Sequence, residues 1–569
     1  MHLAPVYTLA TMLLLSLPLR RAFPLPSLPA ACPSREAALR ELSARTGWLH
    51  DEPSSSSSSS SSSAPSPSPP LAHSLSSPAV VHRLQASRLL VTEHSFSLPL
   101  RPSSPETLTV HATVADLLSP GASSSAVLAY LNHDVGRDAV AAAAAYSSLF
   151  ASKAGRSLLF LQGGPGFPSP RPGASLSFSD SWASAALAAG FAQVVLLDQR
   201  GTGRSSPVTR QALELRLGPA GGWGTGEVGE AVAFLSAFRA DAIVKDSESV
   251  RAALCPGRRW GAVLGQSFGG FALAALLADP GVPDPEVALF TGGLPPVHLS
   301  EGGDVEGVYE RLWERVREKN EKYYAQYPGD VPVVKKIVRA LLSSPPPLPS
   351  GGTLTARRFL QLGLCLGGGP GSFEGLHELL AGAFIQDKSG ADVLSVNFLR
   401  AVERQQPFDT NPLYFLLHES IYCSCPGESS GWAAHRSLRA RGDGLFDYEE
   451  NAKEEGGRPV LFFGEMVFPW MVEDYAELGG KGMRELAEGL AGKSDWPPLY
   501  GGGGGGPVRG AAAVYENDMY VEKSESMRLV AKGALLEGVE AWVTSDFEHS
   551  GLRDDGVAIF EKLYGLAKD

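Results

Sequence analysis

Val263–Phe271 reads VLGQSFGGF: an apolar segment runs into a serine fenced by glycines, and the chain continues as ALAALLADP. Few arrangements satisfy that pattern. WGAVLG has the character of a short buried strand, and FALAALLADP that of an apolar helix stopping at Asp279–Pro280. A strand, a tight turn and a helix force the intervening serine into a strained conformation that exposes its hydroxyl. Small residues at Gly265, Gly269 and Gly270 let the helix pass close to the strand. A G-x-S-x-G match alone proves little, because 63 of the 569 residues are glycine and such a match arises by chance about once in a chain like this. A plain glycine-rich turn fits the same letters. The serine becomes a nucleophile only if the chain also supplies its partners.

Further short apolar runs recur with helical patterns between them: SLLFLQ, QVVLLD, VALFTGG, PVLFFGE, AAAVYEN and EAWVTSD. This alternation predicts an α/β fold with a mostly parallel sheet. Functional residues in such sheets sit at the carboxyl ends of strands. After SLLFLQ comes Gly163-Gly164-Pro165-Gly166, whose backbone N–H groups suit a developing oxyanion as well as an ordinary turn. After QVVLLD come Asp198 and Arg200 in a loop without a phosphate-binding pattern, read as ionic struts.

If the order is serine, acid, histidine, the base is one of His298, His377, His418, His435 and His549. Only His549 follows a terminal strand, in DFEHSGLRDDG. Asp518, at the end of AAAVYEND, is the favoured orienting acid, with one helix and one strand between it and His549. Glu516 and Glu465 are rivals. Asp546, Asp554 and Asp555 lie too close to His549 in sequence to need a fold to bring them there.

The net charge of −12, with no Lys/Arg cluster, argues against nucleic acid as a partner. Five cysteines are too few for a disulfide scaffold, and Cys423-Ser-Cys425 has no second pair at metal-ligand spacing. No metal or cofactor is implied. Residues 1–35 read as a targeting segment: VYTLATMLLLSLPL is too short to span a bilayer comfortably, Arg20 and Arg21 follow it, and no acid precedes Glu36. A plastid or secretory destination fits it better than plain cytoplasm. Residues 36–85, with the serine run from Ser54, read as a disordered linker. The Ala-rich stretch near Asp138, SSPPPLPSGG near Ser343 and the glycine run Gly501 to Gly506 read as surface loops.

With these residues in view, the chain resembles the longer subgroup of the proline iminopeptidases (prolyl aminopeptidases), serine peptidases of the α/β-hydrolase fold. The resemblance runs from TEHSFSLPL at Thr92 to the C-terminus through LLFLQGGPGFPSPRP, VVLLDQRGTGRSSP, AVLGQSFGGF, LFTGGLPP, FDTNPLYFLLHESIYC, PVLFFGEMVFPWMVEDY, AAAVYENDMYV and EHSGLRDDG. It implies hydrolysis of short peptides with proline at the free N-terminus. It makes Ser267 the nucleophile, Asp518 the orienting acid and His549 the base. The oxyanion donors would be the N–H of Phe268 and one from the Gly163–Gly164 turn. The core would span 86–297 and 457–569, with a largely helical cap at 298–456 inserted between sheet strands. An aminopeptidase also needs carboxylates for the substrate amine. Glu419 in LLHESIY comes first and Glu465 in GEM second, with Trp470, Tyr422 and Phe268 as candidates for an apolar proline pocket. The alternative is an esterase-type hydrolase of the same fold. The sequence leaves the oligomeric state open.

Overall fold

The computed structural model describes residues 72–75 and 89–568, except 103, 119–154, 174, 298–303, 426, 455 and 501–507. The stretch read as a targeting segment, the serine run, the Ala-rich stretch and the glycine run therefore lie outside the described residues.

Six parallel strands form the centre of one large sheet. They are β4 (Arg156–Leu161), β5 (Phe191–Asp198), β6 (Ala262–Gln266), β7 (Ala288–Thr291), β10 (Gly510–Tyr515) and β11 (Val539–Thr544). Three antiparallel strands extend one edge: β1 (Ala72–Leu75), β2 (Leu89–Pro99) and β3 (Thr107–Leu117). The order is β1-β2-β3-β5-β4-β6-β7-β10-β11, so β6 lies inside the sheet between β4 and β7. β1 falls within the stretch read above as linker. The short apolar runs become central strands because both faces of a parallel sheet are covered. One face carries Ala240–Leu254 and α1 (Phe268–Ala278), and the other carries Trp182–Ala188 and Gly556–Leu566. Every residue of α1 is buried.

One strand reading fails. Val460–Glu465, in PVLFFGE, forms no strand. Its backbone is satisfied elsewhere. The Asn320 side chain accepts from Phe462 N–H and donates to Phe462 O, Phe463 N–H donates to Leu360 O, and the Tyr324 hydroxyl donates to Val460 O. A short apolar run looks the same in sequence whether neighbouring strands or helices bury it. From Gly292 to Arg509 the described chain contributes no strand to the large sheet, only helices and the small hairpin β8–β9 (Phe384–Gln386, Asp392–Leu394). The insertion thus rejoins the sheet at β10, well beyond 456. Its longest helix is α2 (Val305–Gln326). In SSPPPLPSGG, Leu348 is buried, so that stretch is only partly a surface loop. Among the described residues, no helix is long and apolar enough to cross a membrane.

Candidate active site

Strand ends meet above the middle of the sheet. Ser267 links β6 to α1 with φ 53° and ψ −127°, a left-handed conformation rare for a residue with a side chain. Its N–H donates to Thr291 O at 3.0 Å. The glycines around it are there for want of space. A Cβ at Gly265 would lie 2.5 Å from Gly269 O, and one at Gly269 would strike Leu161 O. The apolar helix can therefore sit directly on β4 and β6.

Gly163 follows β4 and lies against the serine: a Cβ there would fall 2.8 Å from Ser267 Cβ and 3.4 Å from its Oγ. Phe268 opens α1, where the first N–H groups of a helix have no partner within it. The Gly164–Pro165 peptide is cis. The insertion covers this turn. A Cβ at Gly166 would fall 2.9 Å from Tyr414 N, and Phe167 packs edge-on against the Tyr414 ring at 5.0 Å.

Asp518 follows β10 and His549 follows β11. His549 Nδ1 lies 2.7 Å from Asp518 Oδ2, with both side chains buried. The other carboxylate oxygen, Oδ1, accepts from Tyr520 N–H at 2.8 Å and Val521 N–H at 3.1 Å. Asp518 is thereby locked, and it fixes the imidazole with Nδ1–H donating and Nε2 left as the acceptor. Tyr520 closes edge-on over His549 at 4.7 Å. On the other side, a Cβ at Gly292 would fall 3.1 Å from His549 Nδ1, and one at Gly293 would fall 2.5 Å from Ser267 O. The Gly292–Gly293 turn after β7 is thus wedged between serine and histidine. The sequence reading named LFTGGLPP but gave these glycines no role.

Burial disfavours the charged imidazole of His549. The Asp518 carboxylate, through charge and hydrogen bond, and Glu465 outweigh that, so its pKa is raised above the ordinary value. Glu465 is partly buried, and its Oε1 accepts from the Tyr414 hydroxyl at 2.5 Å. Desolvation pushes its pKa up to about 7, against the pull of His549 and Tyr414 and with Asp518 adding to the rise.

The two glutamates are placed differently. Glu465 neighbours the Asp518–His549 pair. Glu419 is buried, and its carboxylate is occupied: Oε2 accepts from Ala433 N–H at 3.0 Å and Oε1 from Ala434 N–H at 2.9 Å. It caps the helix α3 (Ala433–Arg441). Burial drives its pKa up to about 7, although those N–H groups oppose the shift. Its two oxygens thus serve the start of α3.

Of the aromatic candidates, Tyr422 and Phe268 flank Phe271, with ring centroids 5.9 and 6.3 Å from it. Trp470 instead stacks on Phe468 at 5.1 Å with the Arg357 guanidinium above it. Arg200 and Asp198 are struts. Arg200 pairs through two nitrogens with buried Asp246 at 2.7 and 2.6 Å, and Asp198 accepts from Ser169 N–H, Arg204 N–H and Arg171.

A family described as the α/β hydrolase fold matches residues 156–302, the stretch holding β4 to β7 and Ser267. The proline iminopeptidase of Aeromonas sobria is 40% identical over 421 residues, covering 72% of this chain and 87% of that protein. This chain belongs to the proline iminopeptidase family. It is thus a hydrolase of the serine aminopeptidase class. A second proline iminopeptidase, from Aspergillus aculeatus, is 32% identical over 425 residues, covering 72% of this chain and 85% of that one. The sheet of this chain is largely parallel, with a helical insertion between β7 and β10.

Proposed function

We propose that the enzyme releases N-terminal proline from short peptides through an acyl-enzyme on Ser267. The observation that carries this is the locked Asp518–His549 pair, held across the Gly292–Gly293 turn from a strained serine. His549 takes the Ser267 proton as the hydroxyl attacks the prolyl carbonyl, then gives it to the departing amine. Asp518 holds the ring's tautomer and stabilises its charged form. The carbonyl oxygen becomes negative against the N–H of Phe268 and one from Gly163–Gly164. Water, activated by the same histidine, then releases proline.

Glu465 is the carboxylate for the substrate's secondary ammonium. It lies beside the catalytic pair and, among the described residues, accepts from the Tyr414 hydroxyl through one oxygen, so acceptor capacity remains for an incoming N–H. Phe268 and Tyr422 wall the apolar space for the ring. The insertion, read as a cap at 298–456 and extended here to β10, covers the strand ends and limits what enters. An esterase of the same fold has no use for Glu465.

The test is a panel of proline, alanine and leucine arylamides with a simple ester. Preference for proline, with Glu465→Gln raising KM for the arylamide at least about tenfold while ester hydrolysis is retained, supports the reading. Glu419→Gln should lower thermal stability and leave that KM near the parent value. Ester turnover alone by the parent enzyme would show that the substrate class is wrong.

A further inference from the structure

The segment EHSGLRDDG supplies His549, but its arginine has no part in the chemistry above. A cavity of about 370 Å³ opens beside it, within the range of about 300–1,000 Å³ common for ligand sites. One wall is the insertion's Gly368-Gly369-Pro370-Gly371 turn, and the opposite wall is Ser550, Arg553 and Asp554 of the core. The glycines leave the first wall almost bare of side chains, so an extended backbone can lie close to it.

Ser550, the neighbour of His549, is buried where the two walls meet. Its hydroxyl donates to Asp554, and a Cβ at Gly369 would strike it. Arg553 is exposed and makes no ion pair among the described residues, although Asp554 is its chain neighbour. Arg553 lies four residues past His549 on the one-turn helix Gly551–Asp554, which keeps it near the catalytic pair, and its charge works to lower the pKa of both His549 and Tyr520. An arginine offers a planar fork of donors matched to a carboxylate.

We propose that this cavity receives the leaving side of a short peptide and that Arg553 pairs with its terminal carboxylate, so the enzyme favours dipeptides with a free C-terminus over amidated ones. The proposal rests on the aminopeptidase reading above. It assigns Arg553 to substrate binding, outside the proton transfers.

The experiment compares Pro-Ala with Pro-Ala-amide for the full chain, Arg553→Gln and Arg553→Glu. The quantity read is the ratio of kcat/KM for the two peptides. Any effect of the lost charge on His549 acts on both substrates and cancels in that ratio. The parent enzyme should favour the free acid about three- to tenfold, mainly through KM, as expected for a partly solvated pair. Arg553→Gln should bring the ratio near one, and Arg553→Glu should invert it. Turnover of both peptides with the same ratio in all three proteins would overturn this proposal alone. No turnover of either peptide by the parent enzyme would overturn the aminopeptidase reading together with it.

Discussion

Ser267 holds a backbone conformation that glycine adopts freely and a residue with a Cβ adopts at a cost of about 1–3 kcal/mol. The surrounding contacts enforce it, so relief of that strain should be measurable. Ser267→Gly is expected to raise the thermal unfolding midpoint while abolishing turnover. A lowered midpoint would mean that the hydroxyl itself holds the turn together. The pH profile follows from His549 and Glu465. His549 must be neutral to accept a proton, and its pKa is raised. In the mechanism proposed above, Glu465, pushed up to about 7, must be charged to hold an ammonium. Both conditions fail as pH falls, so kcat/KM should drop on the acid side with a two-proton slope starting near pH 7. In Glu465→Gln the slope should fall to one proton and the limb should shift to lower pH, because a carboxylate that favours His549⁺ is gone. At this scale the sequence carried the strand-end positions of Ser267, Asp518 and His549. It did not carry the difference between the two glutamates. The partners of Glu419 are the N–H groups of a helix start 14 and 15 residues away, and only the folded chain brings them together.

Among the elements, the close contact of β4, β6 and α1 sets where Ser267 stands. Gly163→Ala places a methyl 2.8 Å from Ser267 Cβ. The Gln266 carbonyl oxygen would lie 3.1 Å from it as well, so the serine must shift. The expected result is a fall in kcat of about a hundredfold, with KM changed much less and the circular dichroism unchanged. Equal losses in kcat and folded fraction would instead make Gly163 a folding residue. The central strands were legible because each is a short apolar run closed by glycine or a polar residue. β2 and β3 are as long as any strand in the sheet, yet neither was named as one. Their sequences, LLVTEHSFSLP and TLTVHATVADL, alternate with polar residues, as antiparallel strands near a sheet edge do. PVLFFGE misled for the opposite reason: its burial is complete enough to look like a central strand, but helices supply it.

Across the whole molecule, the insertion is bound to the half of the core that carries Asp518 and His549. From α2, Lys319 pairs with Glu548 at 2.5 Å, Arg311 with Glu525 at 2.8 Å, and the Lys322 amine donates to Asn517 at 3.1 Å. Two of these contacts touch the chain neighbours of His549 and Asp518. Docking of the insertion is therefore linked to the placement of Asp518 and His549. Lys319→Met should lower kcat about tenfold in a protein that remains folded, because Glu548 loses its buried partner and the His549 loop its anchor. Unchanged kcat would show that the loop holds its place without the cap. None of this linkage was legible in the sequence, where Lys319 is one charge among many on an amphipathic helix. The central claim is that Ser267, served by His549 and Asp518, cleaves the bond after an N-terminal proline. The most direct measurement is turnover of a proline arylamide by the parent enzyme and by Ser267→Ala in parallel. The account predicts turnover by the parent and a loss of at least about a thousandfold in the variant, with the fold intact. Comparable turnover by the two proteins would contradict it.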